Sequence, residues 1–319
     1  MSEQVIYGDT AYYGVELINR SGNGALPVGE HDFAEAMDRC VLVDKTMFIA
    51  DVLDADASVV ACCRPEGFGK SMNLSMLKAF LERPAVGKVD QGPFAGSQIW
   101  DADGGRYRDE FARYPVISLD FSGAARCGAN VVGVVRDALS GECARLLALL
   151  EAPDLARDKV RHIERVARGV ANEAEVDSVL GVLIELLEMA CDEQVVLLVD
   201  GYDAAWLGRA SAGDVSGVGP AELLDRVLFD AIAAAGDSLR LTCLMGERPG
   251  PAEAALSARG CSCCLATPLS TWCDRWFGFS DAGFRLCLAM LDAGNSWMTR
   301  VNGSRDTDLA GFIARVRCA

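Results

Sequence analysis

Apolar positions along the chain follow two patterns that alternate. Short uninterrupted runs at 58–62, 114–121, 194–199 and 238–246 predict strands buried on both faces, as in a parallel sheet. A possible fifth lies at 265–269. Between them the apolar positions recur at helical spacing. Residues 72–81 place Met72, Leu74, Met76, Leu77 and Phe80 on a core side before Arg83-Pro84 ends the helix. Further helices are expected at 131–150, 156–170, 176–190 and from Pro220 through Ala235. A shorter one after Asp44 carries Met47, Phe48, Ile49, Val52 and Leu53 on one face. The alternation predicts an α/β three-layer sandwich with a parallel, five-stranded central sheet and a ligand at the strands' carboxyl ends. Residues 1–25, with Gly8, Gly14, Gly22 and Gly24 and no clear period, are expected to form an irregular leader.

Composition narrows the function. A chain of 319 residues with 51% hydrophobic content can build a sizeable core without staples. Its 30 basic against 46 acidic residues give a formal charge of −16, a field that repels nucleic acid and anionic membranes. No direct nucleic-acid partner is expected. The longest apolar helix candidate, 131–150, contains Arg136, Asp137, Glu142 and Arg145 and is too charged to span a membrane. Thirteen cysteines, an odd number scattered through apolar runs, and the absence of an opening signal peptide point to reduced thiols and a cytoplasmic location. Cys261, Cys263 and Cys264 cluster, but without paired C-x-x-C spacing and with His31 and His162 far off they do not predict zinc.

The chemistry concentrates at Cys63-Arg64-Pro65-Glu66-Gly67-Phe68-Gly69-Lys70-Ser71, between the first strand and a helix. A strand, a glycine-containing loop closing on G-K-S and a helix form the context of a phosphate-binding loop. Backbone N–H groups there wrap phosphate, the lysine reaches the β- and γ-oxygens, and the serine hydroxyl meets Mg²⁺. The candidate nucleotide-binding residues are Arg64, Pro65, Gly67, Phe68, Gly69, Lys70, Ser71 and Met72, although Arg64 stands where the usual pattern has its first glycine. About 130 residues beyond Lys70, Val195-Val196-Leu197-Leu198-Val199 ends in Asp200. A carboxylate at the end of such a strand is the second candidate Mg²⁺ ligand, with Ser71 the first.

Together with Leu26-Pro27-Val28-Gly29, Val43-Asp44-Lys45-Thr46, Tyr114-Pro115-Val116-Ile117, Tyr202-Asp203 and Phe277-Gly278-Phe279-Ser280, these residues resemble the bacterial AAA-ATPase-like family. The likeness runs over about 26–291, and the family's loop carries arginine at the position of Arg64. It implies an ATP- and Mg²⁺-binding domain at 26–271 and a helical extension at 272–319, with Trp297–Gly303 a worn segment and the family's nuclease-like domain missing.

The departures matter. The family's D-E-Y-D is Asp200-Gly201-Tyr202-Asp203 here, which removes the carboxylate that would polarise water. Asp203 is the candidate substitute and Arg248, after the fourth strand, the candidate cation for the transferring phosphoryl group. Glu66 puts negative charge in the loop, and Met245-Gly246 replaces the family's T-G. The residues leave three readings open. One is ATP binding with weak or absent hydrolysis, acting on a protein effector or within a homo-oligomer. The second is an active ATPase using Asp203 or a partner's group, and the third a scaffold that binds nothing. Asp44-Lys45-Thr46 are expected to support a helix start rather than a base, and Trp272 and Trp276 to be core or interface.

Overall fold

A computed structural model describes residues 4–7, 10–13, 18, 27, 29–40, 42–85, 87, 91–127, 130–207, 219–270 and 272–278. The Gly- and Ser-containing stretch 208–218 lies outside this set, as do the C-terminal extension past residue 278 and the 297–303 segment.

The expected irregular leader contains a short antiparallel hairpin, β1 (Gln4–Tyr7) and β2 (Thr10–Tyr13). Val5-Ile6-Tyr7 and Tyr12-Tyr13 are strand-prone, a signal that the surrounding glycines obscure.

The main sheet holds β3 (Val59–Cys63), β4 (Val116–Asp120), β5 (Val195–Asp200), β6 (Leu239–Gly246) and β7 (Cys263–Ala266). All five are parallel, in the order β4-β5-β6-β3-β7. The fifth strand begins two residues earlier than expected, inside the cysteine cluster: Cys263 and Cys264 are strand residues at a sheet edge.

Each strand feeds two cores, and this is why the runs are apolar without alternation. Val59, Ala61, Cys63, Val195, Leu197 and Val199 pack in one layer; Val60, Cys62, Val196, Leu198, Cys243 and Met245 pack in the other. The first layer is covered by α6 (Val131–Leu146), α7 (Arg157–Ala167) and α8 (Glu173–Cys191). Asn172 and Glu175 close a capping box at the start of α8. The second is covered by α1 (Phe33–Arg39), α2 (Met47–Leu53) and α3 (Lys70–Leu81), with the short α4 (Gln98–Asp101) beside them. A further short helix, α5 (Gly123–Cys127), follows β4.

The helix expected from Pro220 is interrupted. It runs as Gly219–Leu224, a π-helical stretch Asp225–Asp230 and Ala231–Ala235. Gly250–Ala258 is a helix that the proline pair around Gly250 had masked, because Pro251 lies in its first turn, where no N–H partner is lost.

No helix among the described residues is long and apolar enough to cross a membrane.

Candidate functional site

The order β4-β5-β6-β3-β7 places β6 between the strand that leads into the glycine loop and the strand that ends in Asp200. Loops leave these strands in different directions, and a crevice opens at their carboxyl ends. It is a cavity of about 570 Å³, lined among others by Gly69, Lys70, Ser71, Asp200 and Asp203.

Gly67 and Gly69 hold positive φ (84° and 78°), so the loop doubles back sharply before α3 begins at Lys70. The first-turn N–H groups of α3 have no intrahelical acceptors and carry the positive end of the helix dipole. Lys70 Nζ donates to the carbonyls of Arg64 and Pro65, each at 2.8 Å. Burial lowers the Lys70 pKa against the pull of Glu247, Asp200, Asp203 and Glu66. Ser71 Oγ donates to Asp200 Oδ2. Burial raises the Asp200 carboxyl, the Ser71 bond opposes this, and neighbouring Asp120 adds to it. A hydroxyl and a carboxylate oxygen side by side are the hard donors Mg²⁺ takes when phosphate oxygens and water complete its shell, so the residues fit that ion.

The loop's arginine does not line the cavity. Arg64 is 2% exposed; Nη1 donates to Cys63 O (2.8 Å) and Ala266 O (3.1 Å), and the guanidinium lies 4.9 Å from the Phe277 ring centroid. It fastens the loop to β7 and to the 272–278 segment, whose Gly278 N–H donates to Phe68 O at 3.1 Å. Pro65 is exposed, while Phe68 and Met72 are half-buried.

Asp203 is fully buried. Its Oδ2 accepts from the N–H groups of Glu247 (3.0 Å) and Arg248 (2.6 Å), and Oδ1 meets no donor among the described residues. It ties the end of β5 to the end of β6. Arg248 itself is exposed and does not line the cavity; its backbone makes the contacts, the carbonyl accepting from the Tyr202 hydroxyl.

Burial pushes the Asp203 carboxyl up, more than its two N–H bonds pull it down. A folded pKa above the unfolded one costs stability once pH has risen through it, and the cost vanishes below the unfolded value. Asp203→Asn keeps an oxygen for both N–H groups. It is expected to melt higher than wild type near neutral pH, with the gap closing as pH falls into the carboxylate range, as thermal unfolding across pH would record.

Gly201 holds φ +67°, and a Cβ there would meet Ser122 N at 2.5 Å and Ser122 Cα at 2.7 Å. The turn after β4 occupies the place where a side chain at 201 would start. Asp120, on that turn, lines the cavity beside Asp200, a position the sequence reading passed over. The signal was present: β4 and β5 are both apolar runs that end in aspartate.

Asp44 is buried and bonds to backbone at the starts of α2 and α4, while Lys45 and Thr46 line the cavity. Asp44 Oδ1 accepts from Thr46 N–H (2.8 Å) and hydroxyl (2.6 Å), and Oδ2 from Gln98 N–H (2.8 Å). Trp276 is buried, with Nε1 donating to Asp51 Oδ2 at 2.5 Å.

The model of a family described as predicted AAA-ATPase matches residues 27–246, more than half of the chain, a span that includes Lys70, Ser71, Asp120, Asp200 and Asp203 of the cavity. No curated protein and no solved structure matches.

Proposed function

We propose, on the premise that the chain belongs to the predicted AAA-ATPase family, that the cleft at the sheet's carboxyl edge binds Mg-ATP and hydrolyses it slowly. The observation that carries this reading is the convergence of Lys70, Ser71 and Asp200, with Ser71 Oγ bonded to an Asp200 oxygen across the crevice. The first-turn N–H groups of α3 and the Lys70 ammonium would take the β- and γ-phosphates. Ser71 and Asp200 would hold Mg²⁺, which when bound neutralises phosphate charge.

The same cavity is also lined by Ile18, Pro27, Leu42 and Met76, apolar side chains suited to the face of a purine. Asp203 serves in this reading as the tether that keeps the β6 end in register with β5. Gly201 leaves the usual position of the water-polarising carboxylate empty, and such help is worth about 10² to 10⁴ in rate, so turnover is expected to be slow and to depend on a group from another position.

The charge balance adds a condition. Lys45 and Lys70 line the cavity against Glu30, Glu66, Asp120, Asp200, Asp203 and Glu247, so a naked polyphosphate meets net repulsion and nucleotide binding should require the divalent ion.

Titration with a fluorescent ATP analogue tests the reading. Saturable binding is expected with Mg²⁺ and its loss with chelator. Lys70→Ala should weaken binding about 10- to 100-fold, the worth of one or two charge-assisted hydrogen bonds. Equal binding by wild type and Lys70→Ala, or none by wild type, would sink it.

A further inference from the structure

The carboxylate missing from position 201 has a replacement on the neighbouring strand. We propose that Asp120 is the catalytic base that orients the attacking water and takes its proton, an inference that rests on the cleft being a Mg-ATP site. Three observations converge on it.

First, Asp120 and Asp200 are register partners on adjacent parallel strands. Partners of this kind lie about 4.8 Å apart and project to the same face. Asp120 therefore stands one strand spacing from the Mg²⁺ candidate. Its charge is felt there, since it helps to raise the Asp200 carboxyl. Second, Asp120 is exposed and lines the cavity. Ser122 N–H donates to its Oδ1 at 2.8 Å, which fixes the carboxylate plane and leaves the second oxygen for water. Third, the turn that carries Asp120 also fills the space where a side chain at 201 would begin, with Ser122 N 2.5 Å from the Cβ position. One local arrangement thus excludes the usual acid and presents another.

Asp203, the alternative acid, is worse placed. One oxygen is committed to two backbone N–H groups. The other is buried beside Gly246, 2.7 Å from where a Cβ would lie. That oxygen has no exposed surface, whereas Asp120 is exposed.

In the step itself, the water oxygen bonds to the γ-phosphorus while the bond from that phosphorus to the β,γ-bridging oxygen breaks. The electron pair of the broken bond leaves with ADP. One water proton moves to Asp120 and passes on to the released phosphate.

The test uses the full chain and Asp120→Asn, which keeps an oxygen for Ser122 N–H, with Asp120→Ser as a second variant. Near-ultraviolet circular dichroism verifies that each is folded. Mg-dependent binding of the fluorescent ATP analogue should stay within about twofold of wild type, while single-turnover phosphate release falls about 10²-fold or more. A binding readout independent of turnover compares ADP with aluminium fluoride, which mimics the transferring phosphoryl group and its water, against ADP with beryllium fluoride. The wild-type preference for the former should drop at least about tenfold in both variants.

Phosphate release at the wild-type rate by either folded variant would overturn the proposal. So would equal weakening of both fluoride complexes, which would make Asp120 a metal or phosphate contact, and so would a wild type that binds nucleotide but releases no phosphate. A wild type that binds no nucleotide overturns the site reading itself and this proposal with it, and the binding assay alone separates that case from the others.

Discussion

Gly201→Glu, the substitution that would restore the usual acid after Asp200, is expected to destabilise the protein by about 2 to 6 kcal/mol and to add no turnover. Two independent costs combine. A non-glycine residue held at φ +67° costs about 1 to 3 kcal/mol. The Cβ would also stand 2.5 Å from Ser122 N and 2.9 Å from Phe121 C. These are backbone atoms, tied into the sheet by the Phe121 N–H to Asp200 O bond at 2.8 Å, so relief requires moving the β4 turn. Overpacking of this kind adds about 1 to 3 kcal/mol. Movement of that turn would also displace Asp120, and residual phosphate release should fall. Urea unfolding of wild type, Gly201→Ala and Gly201→Glu checks the ledger. The alanine variant should already show most of the loss, because φ and Cβ are the causes. A fully stable Gly201→Glu with faster phosphate release would mean that the turn yields freely and that glycine is there for another reason.

Arg64→Gly is the second large effect, and it also moves the chain toward the usual loop pattern. The arginine is buried, donates to two carbonyls and sits over Phe277. Hydrogen bonds from a charged group contribute about 1.5 to 3 kcal/mol, and a desolvated cation–π contact about 2. Losing them, with part offset by no longer burying a charge, should cost about 2 to 4 kcal/mol. The loss should be structural first. Ala266 O is the link to β7, and Phe277 belongs to the segment whose Gly278 also accepts from Lys45 and donates to Phe68. Without Arg64, the loop loses its floor. The expected record is a lower urea midpoint with an unchanged slope, together with weaker Mg-ATP-analogue binding that stabilising osmolytes partly restore. Unchanged stability would show that the loop packs on β7 without the guanidinium.

Both variants illustrate how the site was legible in parts. Lys70, Ser71 and Asp200 are marked in the chain by a G-K-S spacing and by an unbroken apolar run that ends in a carboxylate, and the fold brings Ser71 and Asp200 into hydrogen-bond contact. Arg64 was grouped with the nucleotide-binding residues on motif position, yet its side chain runs under the loop. Motif spacing fixes where a Cα falls and says little about which way a long side chain turns. Asp203 and Arg248 were read as reacting groups from their nearness to strand ends. One is buried as a tether and the other contributes its backbone.

What the sequence alone determined is therefore the alternation of strands and helices, and the glycine-containing loop before Lys70 with the strand that ends in Asp200. These rest on periodicity and short-range motif geometry, which the chain carries locally. The tertiary structure decided the order β4-β5-β6-β3-β7, and with it that Asp120 stands beside Asp200. It also decided that the backbone of Ser122 closes position 201 to any side chain. The physical reason is that strand neighbours are chosen by hydrogen bonding between segments some 80 residues apart, and the sign of φ at a glycine is set by what packs against it. Neither quantity is written in any local run of residues.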